Sequence, residues 1–295
     1  EYAFYCCSSL TSVTIPEGVT SIGEYAFSGC SSLASVIIPE GVTMIRRGTF
    51  AYAGVESITL PDGLQIIESC YDNYYWGDHF AGAFQGCNKL KNIIIPDSVT
   101  RIGDGTFRYC VSLTSVIVPG SVQSIGCEAF FGCTGLESVI LLEGVSWIAG
   151  YSYSITTYNY GAFCDCSSLR SITIPLSLKG IYKAAFSSCD SLKDIYYAGN
   201  QKQWDSIEIN SDGNKSLLNA TLHLNSFGSD KTLRLTSTSP ANGETDVSLE
   251  SPLVLTFSHD ISEELDWSKG KICILDSKQC IYMRYPTMKH DVCTF

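Results

Sequence analysis

The chain has 295 residues, a net charge of −11 at neutral pH and an isoelectric point near 4.8. An acidic balance of that size excludes nucleic acid and anionic membrane surfaces as expected partners. No apolar run is long enough to cross a bilayer as a helix, so no direct membrane insertion is expected of this segment.

From its first residues the sequence repeats itself. Phenylalanines stand at Phe4, Phe27, Phe50, Phe84, Phe107, Phe130, Phe163 and Phe186, separated by 23, 23, 34, 23, 23, 33 and 23 residues. A period near two dozen residues predicts a repeat solenoid, mainly β, whose coils bury their apolar faces only against one another. Between Phe27 and Phe50, Leu33-x-x-Val36-x-Ile38 has the leucine-rich strand pattern with alternate side chains inward. Pro39-Glu40-Gly41 is turn chemistry, and Val42 and Ile45 supply two more inward positions. Stacking such coils about 4.8 Å apart turns every slot into a ladder of like residues.

Seven of the 14 cysteines share one slot: Cys7, Cys30, Cys87, Cys110, Cys133, Cys166 and Cys189. Side chains leaving parallel backbones in one direction do not suit the ~90° disulfide dihedral, so these read as buried free thiols acting as small hydrophobes. No second Cys-x-x-Cys cluster exists to close a zinc site, and no cofactor is expected.

The pattern F-x-x-C-x-x-L-x-x-V-x-I-P-x-x-V-x-x-I-G-x-x-A-F resembles the BspA-type leucine-rich repeat of bacterial surface proteins, over residues 1–198. Two coils depart from it. The third is one residue short after Phe50, with Gly54 near the cysteine position, and the sixth has Leu142 where proline is expected. The resemblance implies an extracellular or surface-attached bacterial protein that binds a host or neighbouring-cell protein, a matrix protein or a glycan. The chain opens in mid-repeat at Glu1-Tyr2-Ala3-Phe4, so it is expected to be a fragment with an exposed apolar end around Phe4 and Leu10.

The two long gaps are loops spliced into intact coils, near 69–80 and 151–160. Both leave the coil at one phase, after Ile67 and Ile148, and both are rich in aromatics. Tyr71, Tyr74, Tyr75, Trp76 and His79 lie in the first, and Tyr151, Tyr153, Tyr158 and Tyr160 in the second. Seven of the chain's 17 tyrosines thus fall in these two stretches, which selects them as the candidate ligand-binding residues. Tyr and Trp give large contact area with few rotors to freeze, which suits protein or sugar recognition. Mutual packing that only holds the loops down is the competing reading.

The periodicity breaks after Ile195-Tyr196-Tyr197. Asn200 to Ile207 predicts a short helix with Asn200 and Gln203 in a capping box, and Ala220 to Leu224 predicts a strand. Together they read as a C-terminal cap over residues 199–227, followed by a linker at 228–232. Thr238 to Val247 and Leu253 to Ser258 resemble the opening of a bacterial immunoglobulin-like domain, truncated here to 233–295. A hairpin is expected from Lys271 to Met283, where Cys273 and Cys280 either face each other in a disulfide or remain free.

Catalytic chemistry is not expected. The four histidines His79, His223, His259 and His290 have no metal or triad spacing, and no phosphate loop or nucleophile elbow occurs. His223 reads as a satisfied strand residue. The acids Glu17, Glu40, Asp62, Asp97 and Glu143 recur at turns and read as a solvated row. Three roles stay open: adhesion through the aromatic loops and the repeat surface, a structural spacer, or an accessory glycan-binding region of a larger surface enzyme.

Overall fold

The computed structural model describes residues 1–68, 81–149 and 161–226 in full, and six strands beyond them by backbone alone. All nine aromatic-loop candidates, Tyr71, Tyr74, Tyr75, Trp76, His79, Tyr151, Tyr153, Tyr158 and Tyr160, lie outside the described residues. The chain divides into two compact units, Glu1–Gly228 and Ser229–Phe295.

In the first unit the coils after the first contribute short strands. These are β1 (Ser35–Ile37), β2 (Met44–Ile45), β3 (Ser57–Thr59), β4 (Ile66–Ile67), β5 (Arg101–Ile102), β6 (Ser115–Val118), β7 (Ser124–Ile125) and β8 (Ser138–Leu141). There follow β9 (Trp147–Ile148), β10 (Ser171–Ile174), β11 (Gly180–Ile181), β12 (Asp194–Tyr197), α1 (Gln201–Trp204), β13 (Glu208–Ile209), α2 (Lys215–Leu218) and β14 (Thr221–Leu224). Every pairing in this unit is parallel and joins like positions of successive coils, as in Val116↔Val139 and Ile172↔Ile195. Leucine-rich strands form a five-stranded sheet in the order β14-β12-β10-β8-β6, with β1 paired to β3. The second segments form a seven-stranded sheet, β13-β11-β9-β7-β5-β4-β2.

The phenylalanines stack between these sheets. Their ring centroids are 5.1–5.6 Å apart from Phe4 to Phe186, with planes within 13° of parallel. Backbone hydrogen bonds set that spacing. Each Phe N–H donates to the carbonyl just before the next phenylalanine: Phe27 to Thr49 at 2.8 Å, Phe107 to Ala129 at 2.7 Å, Phe163 to Ala185 at 2.8 Å. Phe186 has no following coil, and the side chain of buried Asn214 takes its place, Oδ1 accepting the Phe186 N–H at 2.9 Å. The Asn214 amide donates in turn to the Tyr182 and Asn210 carbonyls, both at 2.7 Å.

From Cys30 onward the cysteine ladder consists of buried free thiols, as expected, and each also serves as a hydrogen-bond donor. Cys30, Cys87, Cys110, Cys133, Cys166 and Cys189 are buried, and each Sγ donates to the carbonyl of the preceding coil's phenylalanine at 3.0–3.2 Å. Burial pushes the thiols of Cys87 and Cys133 up to about 12, which keeps the donating proton in place. Cys7, in the first coil, is exposed instead, and all ten described cysteines are free. In the same coil Phe4 is exposed and Leu10 half-buried.

The short third coil loses its residue between the cysteine and leucine slots. Ala53 rather than Gly54 fills the cysteine slot, and Val55 fills the leucine slot. Gly54 passes so close to the second coil that a Cβ there would lie 2.0 Å from the Ser31 carbonyl oxygen, so only glycine fits. In the sixth coil, Leu142 uses the N–H that proline lacks to bond Val118 O at 3.0 Å.

Past the last repeat, α1 has the expected capping box: Gln203 N–H donates to Asn200 Oδ1 at 3.1 Å and Asn200 N–H to Gln203 Oε1 at 3.0 Å. Strand β14 pairs with β12, and His223 is satisfied by Asp194 at 2.7 Å while stacking on Tyr196. β13 and α2 were not foreseen.

The second unit contains β15 (Leu235–Ser239), β16 (Val254–Phe257), β17 (Cys273–Asp276), β18 (Gln279–Tyr282), β19 (Thr287–Lys289) and β20 (Val292–Thr294). An antiparallel sheet runs β15-β16-β20-β19, and β17-β18 form the expected hairpin. Its two-residue connection pairs Asp276 with Gln279, which sets Cys273 against Tyr282 and Cys280 against Leu275. The two cysteines are therefore not directly opposed.

Removing one ring from the stack leaves a cavity between two others. Phe107→Ala is expected to cost about 3–5 kcal/mol in urea unfolding, and a loss below about 1 kcal/mol would contradict an axial core.

Candidate functional site

The two insertions spring from one edge of the first unit. β4 ends at Ile67 and β9 at Ile148, and both strands belong to the seven-stranded sheet with β5 and β7 between them. Three strand steps place their bases about 15 Å apart. At the second base the Ala162 N–H donates to Ala149 O at 3.0 Å. Equivalent bonds close uninterrupted coils between residues three apart, Ala129 to Gly126 and Thr49 to Arg46. The coil therefore closes across the insertion as though the extra residues were absent.

The phenylalanine turns line the same edge, and their outer positions carry the chemistry that lies among the described residues. Two residues after each phenylalanine the backbone has positive φ, at Gly29, Tyr52, Gly86, Tyr109, Gly132, Asp165 and Ser188 among others. Glycine and tyrosine alternate there for a packing reason. A Cβ on Gly86 would meet Tyr52 Cδ1 at 2.5 Å, and one on Gly132 would meet Tyr109 Cδ1 at the same distance. Each tyrosine ring occupies the volume that the next coil's glycine leaves empty. Tyr25 over Gly48 and Trp147 over Gly180 repeat the arrangement at other positions.

Polar groups fix these rings. Gln85, buried, donates from Nε2 to Tyr52 Oη at 2.8 Å and accepts the Gly82 N–H at 3.3 Å. The Arg108 guanidinium lies 5.0 Å from the centroids of both Tyr109 and Phe131 and pairs with Glu128 at 3.2 Å. Nearby, Asp104 accepts the Cys127 N–H at 2.6 Å. Burial raises the Glu128 and Asp104 carboxyls, opposed by Arg108 at the first and by the Cys127 N–H at the second. Burial, with Asp104 and Glu128 close by, pushes the Cys127 thiol up to about 12, so it is a poor nucleophile at neutral pH.

Among the described residues no group of His, Cys, Asp or Glu converges as a metal site. The turn acids Glu17, Glu40, Asp62, Asp97 and Glu143 are all exposed. No helix of the described residues is long and apolar enough to cross a membrane.

A family model of the BspA type leucine-rich repeat region matches six copies, over residues 1–75, 81–207 and 151–226. The chain belongs to this family. Solved structures similar to it include a leucine-rich repeat protein of T. pallidum, 27% identical over 63% of this chain and 68% of that one, with a TM-score of 0.42. A leucine-rich cell surface protein of Faecalibacterium prausnitzii is 28% identical over 72% of each chain, with a TM-score of 0.32. A leucine-rich repeat protein of Bacteroides ovatus is 24% identical over 76% of this chain and 65% of that one, with a TM-score of 0.37. Among curated proteins none matches this chain.

Within this BspA-type array, Tyr52, Gln85, Arg108 and Tyr109 escape a reading that looks for enrichment in inserted loops. Their signal is the Gly29-Tyr52-Gly86-Tyr109-Gly132 alternation at one repeat slot. The pairing is testable as a coupling. Gly132→Ala adds overpacking against Tyr109 to a left-handed backbone, for an expected loss of about 2–4 kcal/mol. In a Tyr109→Ala background the same change is expected to cost only about 1–2 kcal/mol, the backbone strain alone. Strictly additive urea unfolding energies would contradict the contact.

Proposed function

We propose that this BspA-type chain is a non-enzymatic binding or adhesion module of an extracellular or cell-surface bacterial protein. Its partner is a host or neighbouring-cell protein, a matrix protein or a glycan. Recognition is assigned to the aromatic insertions 69–80 and 151–160, with Tyr71, Tyr74, Tyr75, Trp76, His79, Tyr151, Tyr153, Tyr158 and Tyr160 as contact residues, backed by the repeat surface. The observation that carries this reading is the shared origin of the insertions, one at the end of β4 and the other at the end of β9 in one sheet. Two aromatic segments rooted about 15 Å apart can engage one macromolecular partner.

In the same reading, residues 1–198 form a solenoid, 199–227 close its C-terminal end, 228–232 link it onward, and 233–295 begin an immunoglobulin-like domain. Support for the closing role comes from Asn214, which supplies the acceptor that a ninth coil would have supplied to Phe186. The antiparallel pairing of β15 with β16 is compatible with the immunoglobulin-like reading: β16 lies within the second stretch that resembles such a domain, and β15 ends in the first.

The experiment is an array of matrix proteins, host-cell proteins and glycans probed with intact protein and with a variant whose insertions are replaced by Gly-Ser linkers of equal length. Loss of binding on replacement is expected, with the thermal midpoint unchanged. Unchanged binding would assign the partner elsewhere, and no binding by the intact protein would favour a spacer.

A further inference from the structure

A row of aligned positions crosses the last three strands of the seven-stranded sheet. Trp147 on β9, Gly180 on β11 and Glu208 on β13 stand in register. Gly180 leaves the middle of the row without a side chain. A Cβ there would lie 2.4 Å from Trp147 Cζ3, so the indole lies across it. Tyr182, 45% exposed, follows β11, and its ring stands 5.6 Å from that of Trp147 at an inclination of 37°. Trp147, Tyr182 and Glu208 line one open cleft of about 300 Å³, together with Ile181, Ile209 and Asn210.

The chain itself shows what such a constellation takes. Tyr109 and Phe131 meet at 5.3 Å, Arg108 lies 5.0 Å from both ring centroids, and its guanidinium pairs with Glu128 at 3.2 Å. Arg47 repeats the combination, 5.9 Å from the Tyr25 centroid and 2.9 Å from Glu24. In both, a neighbouring coil supplies an aromatic ring and a carboxylate to one arginine. The Trp147 cleft has two rings and the carboxylate of Glu208. Among the described residues, however, no cation lies over either ring and Glu208 is in no ion pair. Lys183, next to Tyr182 in sequence, is held by Asp212 at 2.6 Å. A guanidinium stacks on a ring face while its fork pairs with a carboxylate, whereas an ammonium is a strongly hydrated point charge. The net charge of −11 draws cations to the surface.

We propose that the Trp147–Tyr182–Glu208 cleft receives an arginine side chain of a protein partner, the guanidinium stacking on the indole and pairing with the Glu208 carboxylate. The site rests on the reading of this chain as a binding module, narrows its partner to a protein that presents an exposed arginine, and uses none of the inserted residues.

NMR titration tests it, with a capped glycine–arginine–glycine tripeptide as the probe and its lysine and citrulline counterparts as comparators. The readout is the indole N–H signal of Trp147, identified by its loss in Trp147→Phe. The arginine peptide is expected to shift that signal saturably, with a dissociation constant on the order of 1–10 mM, the range that one cation–π contact and one charged pair supply. Glu208→Gln, which keeps the size and removes the charge, is expected to weaken binding about tenfold. The lysine peptide is expected to bind more weakly than the arginine peptide, and the citrulline peptide, of like shape without charge, to give no saturable shift. Thermal midpoints of each variant separate lost binding from lost folding. The inference is overturned by no saturable shift at about 50 mM arginine peptide, by lysine or citrulline peptides binding as tightly, or by affinity indifferent to Glu208→Gln. Each of these results leaves the array test of the insertions standing, because no probe or variant here alters residues 69–80 or 151–160.

Discussion

The hydrogen bond from each phenylalanine N–H to the carbonyl before the next phenylalanine is the constraint on which the first unit depends. It recurs from Phe4 to Phe163 at 2.7–2.9 Å and sets the rise from coil to coil. At that rise the rings stack and the parallel sheets come into register. The phenylalanines' own carbonyls, at Phe4, Phe50, Phe84, Phe107, Phe130 and Phe163, then stand within reach of the next coil's thiol. Cysteine suits that slot because it is small and apolar yet carries one weak donor. Where Ala53 replaces it, the slot stays filled and only the donor is lost.

That axial regularity is also what frees the turn edge to vary. The coil that closes from Ala162 to Ala149 keeps its bond to both neighbours, so residues inserted there disturb neither core nor sheet. Long insertions of this kind cost little loop entropy as they lengthen. Along the same edge, left-handed backbone at a fixed slot accepts glycine readily and tyrosine at a cost of about 1–2 kcal/mol. Tyr52 and Tyr109 hold that conformation at φ 59° and 60°, and each recovers contact by leaning on the glycine of the following coil.

Much of this was legible in the sequence because a stack converts period into position. Phe107 and Phe130, one period apart, lie 5.2 Å apart, and the inward slots at Leu33, Val36, Ile38, Val42 and Ile45 are all buried. The capping box of Asn200 and Gln203 was legible because both partners are local. What escaped was non-periodic or lateral. Asn214 imitates a backbone carbonyl with its side chain, and no sequence rule flags that substitution. The third coil reads as one residue short with Gly54 near the cysteine position, but which residue fills that slot was not legible, since a one-residue deletion can be absorbed on either side; Ala53 fills it. The tyrosine–glycine alternation was present in the repeat, but its meaning needed the direction in which each ring leans. The hairpin cysteines are not opposed because the register follows Asp276↔Gln279, which sets Cys280 against Leu275 and Cys273 against Tyr282, and sequence alone did not fix that register.

Native-state hydrogen exchange, read residue by residue by NMR, tests the axial constraint most directly. The amides of Phe50, Phe84, Phe107, Phe130 and Phe163 should exchange together and only through the largest opening the unit undergoes, with Phe186 joining them through Asn214. Exchange of the Phe107 and Phe130 amides as fast as that of exposed Ser211 would show that neighbouring coils are not bonded in this way, and the account would fail.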